Sequence, residues 1–178
     1  IALALAAFLC SLVAGFLLAF AVVVMPGIRN LGDREYLRAF REIDGVIQRG
    51  HPLFGLVWLG SVVALVIGLG LGLGQVVGFD RMLLVLATLI YLLGVQLPTF
   101  MVNVPLNNEL QAMDVDVANE SACRSARKRF EPRWNQWNTI RTALAALTSA
   151  LLILFLIETS RYLYFFQIIQ GLNLSYKI

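Results

Sequence analysis

Residues 53–77 read LFGLVWLGSVVALVIGLGLGLGQVV, a stretch without a single charged side chain. A helix of about 20 apolar residues crosses the hydrocarbon layer of a bilayer. Three further apolar stretches of this length lie at residues 2–25, 82–102 and 139–157. Backbone polar groups find no water inside lipid, so each stretch is expected to be helical. The sequence therefore predicts an all-α membrane protein, built as a bundle of four transmembrane helices.

The composition points the same way. Apolar residues make up 59% of the 178-residue chain and charged residues only 14%, which is too apolar for a small water-soluble protein to bury. The net charge of +3 is too small for a nucleic-acid-binding surface. We expect membrane lipid as a partner and no nucleic acid. Residues 1–158 are predicted to form the transmembrane domain, and residues 159–178 an aromatic tail at the membrane interface.

The basic residues are concentrated in two connections, at residues 27–51 and 103–138. Together with Arg141, these connections hold 11 of the 14 lysines and arginines. By the positive-inside rule, both connections are expected on the cytoplasmic side, or on the matrix or stromal side of an organelle. The chain is accordingly predicted to lie in a bacterial inner membrane or an organelle inner membrane, with both termini on the opposite side.

The first connection contains an amphipathic helix of its own. Its predicted start is Asp33, as the N-cap, and its end lies near Gly50. Apolar residues at helical spacing form one face, which suits a helix lying at the interface or against the bundle. Asp44 interrupts this face between Phe40 and Ile47. A buried carboxylate without a partner is costly, so Asp44 is expected to find one.

Amide and hydroxyl side chains accumulate where the third apolar stretch ends: Gln96, Thr99, Asn103, Asn107 and Asn108. The first three recur at helical spacing and form one stripe. Pro98 is expected to kink this helix and Pro105 to end it. Polar side chains in a membrane helix usually face the bundle interior, either for function or for hydrogen bonds between helices. Both interpretations remain open for this stripe.

A second polar group leads into the fourth apolar stretch, where Trp134, Asn138 and Arg141 share one helix face and Trp137 lies beside Arg141. The alternative is an aromatic belt with an arginine reaching the interface. His51, ahead of the second stretch, is the only histidine. Bis-histidine haem and two-histidine iron sites therefore cannot be built from this chain alone. We expect no metal site and no cofactor.

These residues resemble a known family. The run NVPLNN at residues 103–108, followed by Trp134, Trp137, Asn138 and Arg141, is similar to the anthrone-oxygenase-like membrane proteins, as are REID at 41–44 and GHPLF at 50–54. The resemblance covers about residues 12–155. It implies a membrane protein related to fungal enzymes that oxidise anthrones to anthraquinones without an evident metal or flavin. Asp44 and His51 depart from the bacterial pattern, which usually has Asn at both positions.

The chemistry that the resemblance implies suggests a role for each polar residue. A phenolic anthrone must lose a proton before its carbanion reacts with dioxygen, so a base and donors to the phenolate are needed. His51 or Asp44 is the candidate base, and Arg141 the candidate catalytic donor. The candidate binding residues for a flat aromatic or quinone-like molecule are Asn103, Asn107, Asn108, Trp134, Trp137 and Asn138.

Two other functions are compatible with the sequence. The chain could be a non-catalytic accessory subunit of a larger membrane complex, in which the polar residues only join helices. A small transporter has less support, because the first and fourth stretches have almost no polar lining. An enzyme should have a cavity of roughly 300 Å³ or more between Trp137, Arg141 and Asn103. In a subunit, mutual hydrogen bonds should use up these groups.

Overall fold

The computed structural model describes the backbone of residues 1–175 and the side chains of residues 1–161. It contains five helices and, within the described backbone, no strand: α1 (Ala2–Ile28), α2 (Asp33–Gln48), α3 (Pro52–Gly72), α4 (Gly78–Ala112) and α5 (Glu120–Ser175). Helices α1, α3, α4 and α5 up to Arg161 are long and apolar enough to cross a membrane. The prediction of an all-α fold with four candidate membrane spans is confirmed by the length and composition of these helices. The aromatic side chains expected in the tail lie outside the described side chains.

Glycines on α3 allow two neighbouring helices to come close. A Cβ atom added to Gly68 would lie 2.5 Å from Cδ2 of Leu3, and one added to Gly72 would lie 2.8 Å from Cδ2 of Leu84. Gly70 and Gly74, which alternate with them in the sequence, have open space around the position of a Cβ atom. Close backbone approach at small residues is a common way for membrane helices to associate. Only one of the two glycine pairs in this stretch therefore serves packing against α1 and α4.

On α5, the small residues Thr142, Ala146 and Ala150 form one row at helical spacing, but most of this row is not covered by another helix. Ala146 and Ala150 of that row are exposed. The neighbouring row is buried instead, with Ala145 fully covered and Ser149 nearly so. The reason is tertiary, because α1 and α4 both contact α5 and their positions determine which face is covered.

Helix α2 lies against α4 and α5 at one end of the bundle. It begins at Asp33, with Gly32 in the N-cap position. The predicted cap is thus one residue off, although a carboxylate in the first turn still stabilises the helix dipole. Gly50, with a φ of 78°, lies in the left-handed region just after the helix, as glycines at helix ends often do. The face of α2 towards the bundle buries Leu37, Phe40 and Asp44.

The second basic connection is mostly helical, whereas the sequence suggested a large polar loop over residues 103–138. Helix α4 continues past Pro105 to Ala112, and α5 already begins at Glu120. Wide π-helical turns at Ile90–Gln96 and Thr99–Asn103 precede Pro98 and Pro105. Each proline therefore falls where the regular hydrogen-bond ladder is already interrupted, so the helix need not end there. Cys123, which lies within this connection, is buried in α5.

Candidate functional site

A cavity of about 200 Å³ lies where α1, α2, α3, α4 and α5 meet. Six of the nine residues proposed from the sequence line this one cavity: Asp44, Asn103, Asn107, Trp134, Asn138 and Arg141. They come from three helices that are far apart in sequence. Helix α2 contributes the carboxylate, α4 two amides, and α5 the indole, the third amide and the guanidinium.

Two π-helical turns contribute to the cavity wall. One includes Phe20 in α1, and the other runs from Thr99 to Asn103 in α4. A π-helical turn inserts an extra residue into the helix and is frequent at functional sites. In α4, this turn carries Thr99 and Asn103, whose hydroxyl and amide groups both belong to residues that line the cavity.

Asp44 is the only carboxylate among the described residues that line the cavity, and it is only 3% exposed. Asn107 Nδ2 donates a hydrogen bond to Oδ1 over 2.7 Å. Gln111 Nε2 and Gln48 Nε2 donate to Oδ2 over 2.9 Å and 3.2 Å. An ionised carboxylate has about four acceptor positions. Three amides therefore hold Asp44 in place and leave capacity for one more donor on Oδ1.

The amides of α4 also connect Asp44 to Trp134. The indole Nε1 of Trp134 donates to Oδ1 of Asn107 over 2.8 Å, so Asn107 links the indole to the carboxylate. Asn103 Nδ2 donates to the backbone oxygen of Trp134 over 3.3 Å. Its Oδ1 is buried and has no partner among the described residues. This unpaired acceptor belongs to a residue at the cavity wall.

Arg141 is buried to the same degree as Asp44, at 3% exposure. One terminal nitrogen donates to Thr99 Oγ1 over 2.8 Å, and the other to Asn138 Oδ1 over 3.1 Å. Asn138 is held in turn, because its Nδ2 donates to the backbone oxygen of Leu17. A guanidinium has five N–H donors, and Nε of Arg141 has no partner in the described part of the chain. No carboxylate among the described side chains forms a salt bridge with Arg141.

Aromatic rings form the remaining walls. The ring of Trp134 lies 5.6 Å from Phe20 and 5.3 Å from Phe40, between ring centroids. Phe54 stacks on Trp58 at 5.4 Å with an angle of 25° between the rings. Aromatic side chains bury much apolar area and keep defined geometries. The cavity therefore combines flat apolar walls with one buried carboxyl group and one buried guanidinium group.

Three of the proposed residues do not line the cavity. His51 is exposed and lines an adjoining cleft of about 610 Å³. Asn108 is exposed and accepts a hydrogen bond from Gln48 Nε2 over 3.0 Å. Trp137 is partly buried and packs against the apolar cluster around Phe130. The expected cavity bounded by Trp137 is thus replaced by a smaller one that lies beside Trp134.

Gln111 and Gln48 were not identified from the sequence as partners of Asp44. A signal was present, because Asn103, Asn107 and Gln111 recur every four residues and so share one helix face. It was overlooked because α4 was expected to end at Pro105. Among the side chains that the structure describes, no three His, Cys, Asp or Glu residues lie together in a way that could hold a metal ion.

The short segment between α4 and α5 is fastened to α2 by two arginines. Arg34 donates to the backbone oxygens of Val115 and Ala118 and to the carboxylate of Glu120. Arg38 forms an ion pair with Asp116, and its hydrogen bond lowers the pKa of that carboxyl group. These contacts hold the end of α4, with Gln111, against the helix that carries Asp44.

The chain matches a known protein family. The family model for anthrone oxygenases matches residues 44–151, which is more than half of the chain. The match begins at Asp44 and includes every residue of the cavity that α4 and α5 contribute. No curated protein and no solved structure matches the chain. The extent of the family match shows that this membrane protein belongs to the anthrone oxygenase family.

Proposed function

We propose that the chain is a membrane oxygenase that oxidises a flat, hydroxylated anthrone-type substrate in the cavity between α2, α4 and α5. One observation carries this proposal. Asp44 and Arg141 are both buried, both line the same cavity, and both keep hydrogen-bonding capacity that the described residues do not use. A structural pair of charges would be expected to neutralise each other directly, because an uncompensated buried charge is costly.

The reaction begins with proton transfer from carbon. The Asp44 carboxylate removes a proton from the methylene carbon of the anthrone, acting as a general base. Negative charge then spreads to the oxygen of the ring carbonyl. The N–H groups of Arg141 donate hydrogen bonds to this oxygen and stabilise the anion. Water-poor aromatic walls strengthen that interaction, because charges interact more strongly in a low-dielectric surrounding.

Dioxygen is the oxidant, and the atoms balance. The carbanion gives one electron to dioxygen and the two radicals combine, forming a carbon–oxygen bond and a peroxide anion. That anion takes the proton held by Asp44. The carboxylate then removes the second hydrogen of the same carbon as a proton, while the oxygen–oxygen bond breaks and hydroxide leaves. Hydroxide takes the proton from Asp44, so anthrone and dioxygen give anthraquinone and water.

Of the two candidate bases, the geometry favours Asp44. It lines the cavity together with the aromatic residues, whereas His51 lies in the neighbouring cleft. Asn107 then acts as a positioning residue, because its amide already serves Asp44 and Trp134. Asn103 and Asn138 remain candidates for contact with the substrate. Trp134 forms one wall in this proposal, and Trp137 supports it from outside.

The proposed enzyme works near the cytoplasmic face. The cavity lies at the arginine-rich end of the bundle, which the positive-inside rule places on the cytoplasmic side, with both termini opposite. Cys10 and Cys123 are buried, so a cysteine introduced at Lys128 can be labelled selectively. Reaction of Lys128→Cys with a membrane-impermeant maleimide in intact cells would contradict this orientation.

The test is the substitution Asp44→Asn, which keeps the shape of the side chain and removes the base. We expect kcat/KM for a hydroxylated anthrone to fall by roughly a hundredfold to ten-thousandfold, measured as quinone formation by the protein in lipid nanodiscs. Glu42→Gln is the matched control, since Glu42 is exposed on the same helix. Normal turnover by a correctly folded Asp44→Asn variant would exclude the proposed reaction and favour a non-catalytic role.

A further inference from the structure

A second space adjoins the cavity and opens to the side of the bundle. This cleft has a volume of about 610 Å³ and lies between α1, α2 and α3. Apart from His51, every lining residue that the structure describes is apolar. Five residues line both the cleft and the cavity: Phe16, Phe20, Ile47, Phe54 and Trp58. The two spaces thus share one aromatic wall.

The cleft follows from the way α2 is packed. Helix α2 lies on α4 and α5, while α3 packs against α1. Between α2 and the α1–α3 pair the side of the bundle is left open. The rim carries exposed apolar side chains, including Leu12, Val46 and Leu53. In a membrane helix bundle such side chains face the lipid, so the cleft opens towards the interior of a leaflet.

The sizes and linings of the two spaces suggest which part of a ligand each of them holds. The cavity alone, at about 200 Å³, is smaller than the roughly 300–1,000 Å³ that is usual for small-molecule sites. All the charged and amide groups lie in the cavity, whereas the larger cleft is almost entirely apolar. A molecule that fills both spaces has a compact polar ring system at one end and an apolar chain at the other.

We propose that the ligand is a flat hydroxylated aromatic molecule with an alkyl or isoprenoid chain, and that it reaches the site from the membrane leaflet. The ring system occupies the cavity beside Asp44 and Arg141, and the chain lies in the cleft along Val46 and Val57. This inference rests on the proposed function for the position of the ring. It adds the substrate class, since substrates with a chain are preferred over those without one.

The test compares two quinones that differ only in the chain. A hydroxynaphthoquinone with a long alkyl chain and the same quinone without it are titrated into the protein in nanodiscs, and quenching of tryptophan fluorescence is measured. Val57→Phe fills the cleft, because Val57 lines the cleft and not the cavity. Val63→Phe is the matched control, since Val63 is exposed elsewhere on α3. Both variants are measured in the same lipid, so partition of the alkyl chain into the bilayer affects the two measurements equally.

We expect Val57→Phe to weaken binding of the chain-bearing quinone by about tenfold or more, because losing the burial of two methylene groups is enough for that change. Binding of the chainless quinone should stay within about threefold of the wild type, which also shows that the variant is folded. Val46→Phe, which lines the cleft from α2, should act in the same direction. Val63→Phe should change neither affinity.

Two outcomes overturn the inference, and they can be told apart. In the first outcome, the chainless quinone binds and Arg141→Met weakens its binding, but Val57→Phe changes the affinity for both quinones equally or for neither. The cleft then holds only lipid. In that case the proposed function stands and the substrate class is wrong. If neither quinone binds to the wild-type protein, the site proposed for the ring is wrong as well.

Discussion

The two ends of the helix bundle are built differently. At one end, α1, α3, α4 and α5 pack through apolar and small residues, and most of their buried hydroxyl groups bond to one another or to the backbone, with Thr159 Oγ1 unpaired among the described residues. Ser61 and Tyr91, for example, are hydrogen-bonded at 2.6 Å in the interior. At the other end, the same helices and α2 surround a cavity whose lining residues include two buried polar atoms, Arg141 Nε and Asn103 Oδ1, that have no partner among the described side chains.

This difference separates stability from function. A fully satisfied and tightly packed interior stabilises a fold, whereas buried polar groups that keep free capacity cost stability and are retained at functional sites. Substitutions at the packed end should therefore reduce stability, and those at the cavity should reduce activity. Three variants test this contrast, and a fourth lies outside both regions.

The largest effect is expected for Arg141→Met. Removing the donor to the developing anion should lower kcat/KM for an anthrone by roughly a hundredfold to a thousandfold. The thermal unfolding temperature in detergent should stay the same or rise, because an apolar side chain of similar length replaces an unpaired buried charge. Arg133→Met, at an exposed position of the same helix, should change neither. A marked loss of stability in Arg141→Met would mean that the cavity end is structural.

Gln111→Leu should have the next largest effect. Gln111 donates to Asp44 but does not line the cavity, so the substitution should lower kcat by about tenfold and leave KM nearly unchanged. A hydrogen bond to a charged group contributes about 1.5–3 kcal/mol. A tenfold loss in rate corresponds to about 1.4 kcal/mol, so the loss of this one hydrogen bond is enough to account for it. Glu109→Gln serves as the control, because Glu109 is exposed on the same helix. An equal rise in KM would indicate direct contact with substrate instead.

At the packed end, Gly94→Val should destabilise the protein without a specific effect on catalysis. A Cβ at Gly94 would lie 2.5 Å from Cδ1 of Leu144 and 3.5 Å from its Cβ. Overpacking of this kind costs about 1–3 kcal/mol, which thermal unfolding in detergent measures. Gly70→Val is the matched control, because Gly70 has open space. Equal unfolding temperatures for the two variants would show that the packed end tolerates added volume.

The smallest effect is expected for Asp116→Asn, outside both regions. Arg38 lowers the pKa of Asp116 in the folded protein. The ion pair therefore contributes stability above the ordinary aspartate pKa, and this contribution disappears as the pH falls through the lowered value. Because the pair is exposed, the difference in unfolding temperature should be small at neutral pH and should vanish in acid or at high salt. A difference that persists in acid would rule out the ion pair as its source.

Part of the candidate site could be predicted from sequence because its residues recur at helical spacing. Trp134, Asn138 and Arg141 were expected on one face of one helix, and all three line the cavity. The position of Gln111 was missed, since Pro105 suggested a helix end. A π-helical turn before that proline allows α4 to continue, and such turns have no simple sequence signal.

The sequence by itself determined the four apolar helices, the amphipathic helix between the first two, and the end of the bundle at which the polar groups gather. These properties depend on hydropathy and helical periodicity, which are local along the chain. Only the tertiary structure decided that Asp44 and Arg141 share a cavity, that His51 lies in the neighbouring cleft, and that Trp137 does not line the cavity. The reason is that the position of α2 against α4 and α5 results from contacts between residues more than 60 positions apart, such as Asn107 with Asp44, and no local pattern encodes such contacts.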